Sequence, residues 1–272
     1  MPASIAQSEP FVVAFDCETD ALFSHFPGWP RSEAVSKGMN FTVICASVLP
    51  VSCLDMPCAE AMKRVRHFEY WRDGATRSRR FSPIEDLLCL FDRATAIVSY
   101  NGLGFDFPLI RRFYDFRSEW KRHGPGQRVS AAEERYVSHR AKSLDIMAQL
   151  LGATARYYKL QSLLCENGML QKSGSGVDAV RLWDEGKREE LVAYCRRDTD
   201  LTLELALKET LLVDGVAVAP NLHRVAPFAA ALASVGFVAA PHATSAGNPR
   251  KRSLGEARDA FAVPRAVKVQ RA

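Results

Sequence analysis

The chain has 272 residues, 47% of them hydrophobic and 25% charged, the balance of a globular protein that buries a sizeable core in one large or two small domains. The first ten residues, MPASIAQSEP, lack the basic start and apolar stretch of a signal peptide, and the uncharged run 225–241 is rich in alanine and carries two prolines. An intracellular protein (cytoplasm or nucleus) without a membrane span is therefore expected. Seven cysteines with no CxxC pair fit reduced thiols rather than a disulfide framework or a zinc site. The net charge of +5 resides in residues 250–272, where seven Lys/Arg meet two acids; the preceding 249 residues are neutral.

In chain order, Phe11 to Phe15 (FVVAF) is an apolar run rich in β-branched and aromatic residues, the pattern of a buried strand. It delivers two acids, Asp16 and Glu18. Residues two apart on a strand share a face, so both carboxylates look the same way. Two readings fit: a strand running out into a solvated acidic turn, or a pair of hard oxygen ligands for a divalent cation. Residues 21–40, with Pro27, Gly28, Pro30 and Gly38, read as a long loop carrying Phe23, Phe26 and Trp29. Phe41 to Leu49 and Val65 to Trp71 read as strands. Ser82, Pro83 and Glu85 have the spacing of a capped helix start.

Ala96 to Tyr100 is a short apolar strand ending at the Asn101-Gly102 turn. A helix over 105–116 is then predicted, with Asp106 in its first turn, where the helix dipole alone would favour an acid. Residues 111–142 hold nine Lys/Arg against four acids, interleaved with five aromatics. That is either a solvated face or a surface for a nucleic-acid strand. Ser143 or Asp145 caps a following helix, LQSLLCEN is helical and stops at Gly168, and KSGSG (172–176) reads as a connector without the features of a phosphate-binding loop.

The last strong element is a helix over 188–208. Tyr194, Asp198, Leu201 and Leu205 fall at i, i+4, i+7 and i+11 on one otherwise apolar face. Asp198 thus points into the core, where an unpaired charge costs on the order of 3–5 kcal/mol. It needs a partner, and Arg197 lies off that face. Asp200 points elsewhere and reads as solvated. Beyond residue 213 the composition shifts to Ala, Val, Pro and Gly. PRKRS (249–253) there is either a nuclear-import or nucleic-acid patch or a solvated end.

FDCET, NGLGFD and YCRRD, in that order, resemble the three motifs of the DEDD superfamily of 3′–5′ exonucleases in its tyrosine form; the histidine form would place His where this chain has Ala193. The likeness covers residues 11–209, including KLQSLL, and is nearest to the proofreading exonuclease domain of family B DNA polymerases and its stand-alone relatives. It implies an α/β, ribonuclease H-like fold, a mixed sheet of about five strands flanked by helices. The implied organisation is an exonuclease domain over 8–212 and an extension over 213–272.

The resemblance further implies two divalent ions, Mg²⁺ or Mn²⁺. Asp16 would bridge both, Glu18 and Asp198 would complete one site, and Asp106 would support the second. Tyr194 would orient the attacking water, and Thr19, Asn101 and Phe105 would meet the substrate. The implied activity is stepwise hydrolysis from the 3′ end of single-stranded DNA, releasing nucleoside 5′-monophosphates. The same fold also hosts enzymes that act on RNA, and a catalytically silent nucleic-acid-binding module is a further alternative.

Overall fold

The computed structural model describes residues 9–72, 83–114 and 131–218. At its centre is a five-stranded mixed sheet in the order β3-β2-β1-β4-β5. The strands are β1 (Phe11–Thr19), β2 (Phe41–Pro50), β3 (Arg66–Trp71), β4 (Ala96–Ser99) and β5 (Ser143–Asp145). β1 runs antiparallel to β2 and parallel to β4. It is the middle strand, paired along both edges and covered on both faces, which is why its sequence is continuously apolar instead of alternating.

The period of two decides which helix layer each β1 side chain meets. Phe11, Val13, Phe15 and Cys17 enter one core cluster with Leu87, Leu88 and Phe91 of helix α2 (Pro83–Arg93). The Phe15 ring meets those of Phe91 and Phe107 edge-on, at 4.8 and 5.3 Å between centroids. Val12 and Ala14 face the opposite layer, with Leu201, Leu203 and Leu205. Burying such side chains contributes about 1.5–3 kcal/mol apiece before chain entropy is set against it.

The remaining helices are α1 (Cys58–Met62), α3 (Asp106–Ile110), α4 (Ala131–Ala141), α5 (Ile146–Thr154), α6 (Leu160–Glu166), α7 (Gly176–Asp184) and the twenty-residue α8 (Arg188–Leu207). α8 opens with Glu189 and Glu190 at its positive end and lays Leu191, Tyr194, Cys195, Asp198, Leu201 and Leu205 inward, as the helical spacing requires. None of the helices among the described residues is long and apolar enough to cross a membrane.

Three expectations change. Residues 21–40 are not a bare loop; Phe23–His25, Arg31–Glu33 and Ala34–Gly38 form short helical turns. The helix expected over 105–116 is only Asp106–Ile110 followed by a 3-10 turn, Arg111–Phe113. It stops because Tyr114 turns extended and buries its ring, its hydroxyl 2.7 Å from His139 Nδ1. Ser143–Asp145 is the fifth strand, and Asp145 still caps α5 by accepting the Ala148 N–H. After α8 a hairpin pairs β6 (Leu211–Val213) with β7 (Val216–Val218). Its Leu211 and Val213 are buried with the α8 layer. Ser82, the TRSRR and HGPGQ turns, Trp120 and the segment after 218 lie outside the described residues.

Candidate active site

The site is built at the carboxyl end of β1. Asp16 and Glu18 leave that strand on the face that meets α8, and Asp198 and Tyr194 come from α8 itself. The register between β1 and β2 slips between Cys17 and Thr19, so the strand bends where its acids are presented. Asp106 arrives from the parallel neighbour of β1, through the turn after β4. Its Oδ1 accepts the Cys17 N–H at 3.0 Å, which pins α3 to β1 between the two β1 acids.

That turn is tight for a stated reason. Asn101 sits in the left-handed region with φ of 66°, and a Cβ on Gly102 would lie 2.3 Å from Ser99 Oγ. Glycine alone lets the chain pass over Ser99 and re-enter a helix at Asp106.

Glu18, Asp106 and Asp198 are buried, with 6%, 2% and 2% of their surface exposed. Burial is the largest influence on all four acids and favours their protonated forms. It pushes Asp16 up to about 7, with the Asp198 carboxylate adding to the effect and the Lys172 ammonium opposing it. Glu18 and Asp106 are raised well above the carboxylate range by burial and then by the neighbouring Asp16. Burial also raises Tyr194, helped by Glu18, Asp198 and Asp16, which keeps its phenol protonated.

The partner that Asp198 required is Lys172. Its Nζ lies 2.5 Å from Asp198 Oδ2 and 5.4 Å from the centre of the Tyr194 ring. Asp198 Oδ1, by contrast, is buried with no hydrogen-bond partner. An orphaned carboxylate oxygen is costly, and a divalent cation would satisfy it. Asp16, Glu18 and the Cys195 thiol also bring one ligand atom each to within 4.8 Å of one another. The donor set is mostly hard oxygen, which suits Mg²⁺ or Mn²⁺. The residues present fit such an ion.

Sequence reasoning misses Lys172 because it sits in a stretch that reads as a connector. Nothing in QKSGSG marks its partner 26 residues away; contacts from α6 and α8 hold the segment in place. Gln161 Oε1 accepts the Lys172 N–H, and the Arg197 guanidinium holds the Gln171 carbonyl at 2.7 and 2.9 Å. Asp200 is a correction. It is not simply solvated, since it accepts from Ser47 Oγ at 2.7 Å and lies 2.9 Å from His67 Nε2. It ties α8 to β2 and β3, away from the acidic cluster.

Of the residues assigned to substrate, Thr19 is buried and its hydroxyl donates to the Ala21 carbonyl at 2.9 Å. Asn101 forms the turn, and Phe105 is partly buried against the core, its ring 6.1 Å from the half-exposed Phe23. Phe23 in turn lies 5.0 Å beneath the Arg31 guanidinium.

A family model for the RNase_H superfamily matches residues 59–209, more than half of the chain. The protein belongs to the RNase_H superfamily. The matched stretch contains Asp106, Lys172, Tyr194 and Asp198; β1, with Asp16 and Glu18, precedes it. No curated protein matches. Among solved structures, the chain is similar to the family B DNA polymerase from the hyperthermophilic archaeon Pyrobaculum calidifontis. Identity is 19% and the TM-score 0.43, over 73% of this chain and 24% of that one. The chain thus spans about a quarter of that polymerase's length.

Proposed function

We propose that this protein is a metal-dependent 3′–5′ exonuclease that removes nucleoside 5′-monophosphates from single-stranded DNA, with residues 8–212 as its core domain. The observation that carries the reading is the meeting of Asp16, Glu18 and Asp198 at one end of the sheet with a buried, unpartnered Asp198 oxygen. Buried like charges repel, and a fold retains them where a cation or a reaction uses them. Membership of a nuclease-type superfamily and the order of the three motifs support it.

Asp16, Glu18 and Asp198 would hold one ion, and Asp16 with Asp106 a second. When bound, such ions supply Lewis-acid chemistry at phosphorus, activating water and balancing charge on the departing 3′ oxygen. The chain's own groups do the rest. Tyr194, a protonated phenol one turn before Asp198, is a donor that orients water or a phosphate oxygen and is no general base at neutral pH. The Lys172 ammonium, held between Asp198 and the Tyr194 ring, places a positive charge where a phosphate would enter. Phe23 and Trp29, 36% and 48% exposed, and Phe105 offer rings for unpaired bases, worth ~1–3 kcal/mol each where they stack.

Matched DNA and RNA oligonucleotides, incubated with Mg²⁺ or with chelator, test the reading. Cleavage of DNA only with the ion present is expected. Faster cleavage of RNA would reassign the substrate, and no cleavage of either would leave a binding module.

A further inference from the structure

Asp145 is placed as a helix cap, yet it does more than a cap requires. A cap needs one acceptor oxygen, and Asp145 Oδ1 supplies it to the Ala148 N–H at 3.1 Å. The same oxygen accepts the Asn101 N–H at 2.9 Å, and Oδ2 accepts the Leu103 N–H at 2.8 Å. Both are in the turn after β4, more than forty residues earlier in the chain. The side chain is 3% exposed, so its partners are fixed and no water competes for them.

The turn it grips delivers Asp106. Asn101 stands at positive φ, and its carbonyl accepts the Gly104 and Phe105 N–H groups at 3.1 and 2.9 Å. The Gly102 carbonyl accepts the Phe107 N–H at 2.8 Å, and Asp106 then meets the Cys17 N–H. One carboxylate at the edge strand thus holds the start and the middle of the bend that sets Asp106 against β1. A serine or asparagine would serve the cap alone. Only a carboxylate presents two acceptors and no donor to three N–H groups.

We infer that Asp145 is a positioning residue for the reaction proposed above, aiming Asp106 through the 101–105 turn; the inference rests on that reading of the site. Its hydrogen bonds go to the turn and to the start of α5, and its negative charge is a further, smaller influence on Asp106. Replacing it would displace Asp106 by a fraction of an ångström to an ångström, and misplacement on that scale costs up to ~100-fold in rate.

The test uses the full chain with Asp145→Asn, which turns an amide NH₂ against one of the three donors. Asp145→Ser is the second variant, keeping the cap acceptor if the first fails to fold. Folded fraction is checked by urea titration. Turnover and KM are measured on single-stranded DNA with Mg²⁺ and with Mn²⁺, and Mn²⁺ binding is followed by electron paramagnetic resonance. We expect kcat to fall roughly 10–100-fold with KM within about 3-fold. Mn²⁺ should recover more of the loss than Mg²⁺, because Mg²⁺ demands near-ideal octahedral ligands. Binding of the second Mn²⁺ should weaken. Unchanged kcat, or unchanged Mn²⁺ binding in a folded variant, would overturn the inference and leave a cap. A parent that binds Mn²⁺ but cuts no DNA would strike the proposed function instead, and the Mn²⁺ titration would still decide the role of Asp145.

Discussion

Asp16→Asn separates the electrostatic account of the site from its chemical role. Asp16 is held at about 7 in the folded chain against an ordinary 3.8, so the folded state binds its proton more tightly than the unfolded one. The sign follows by linkage. Below about pH 4 the group is protonated in both states and costs nothing. As pH rises from about 4 to 7 the unfolded chain ionises first, and stability falls. A tenfold difference in proton affinity corresponds to ~1.4 kcal/mol, which gives an upper bound of ~4 kcal/mol at pH 8; sharing with Glu18 and Asp198 brings it to about 2–4. Asn has nearly the same shape and no charge, so it removes that cost. In chelator, urea unfolding should show Asp16→Asn more stable than the parent by about 2–4 kcal/mol at pH 8, and the gap should close to under about 1 at pH 4. The same variant should lose metal-dependent turnover by several orders of magnitude. A variant less stable than the parent at pH 8, or an equal gap at both pH values, would refute the reasoning.

Three further outcomes follow from the same geometry. Tyr194→Phe should slow turnover by ~10–1000-fold while Mn²⁺ affinity, read by electron paramagnetic resonance, stays within a few-fold; lost metal binding would make the tyrosine structural. Gly102→Ala sets a Cβ 2.3 Å from Ser99 Oγ, so it should destabilise by about 1–3 kcal/mol in urea titration and reduce turnover with it, and an unaffected rate would mean that the turn does not aim Asp106. Removing residues 250–272 deletes a net +5 and should weaken DNA binding and flatten its salt dependence in fluorescence anisotropy, with kcat at saturating substrate unchanged; an unaltered salt slope would take the tail out of binding.

The acids are legible in the sequence because each disobeys the pattern around it. Asp16 and Glu18 end a strand otherwise apolar, and Asp198 interrupts an apolar helical face. Periodicity exposes such exceptions, and it also locates β1, β2, β4 and α8. It cannot find β5, because three residues carry no period and Ser143–Asp145 is a strand only by pairing with β4. It overextends the helix after Asp106, since the force that ends it is the burial of Tyr114 beside His139. Lys172 and Asp200 escape it for one reason. Their environment is set by residues far along the chain, Asp198 for the lysine and Ser47 with His67 for the aspartate. Local composition records exposure preference, not partners.

The central claim is that these acids hold ions for cleavage at a 3′ end, and a 5′-labelled single-stranded DNA oligonucleotide with Mg²⁺ tests it most directly. The predicted result is a descending ladder of labelled products, abolished by chelator and by Asp198→Asn and blocked by a 3′ phosphate. Immediate release of labelled mononucleotide, or a ladder that survives Asp198→Asn, would contradict it.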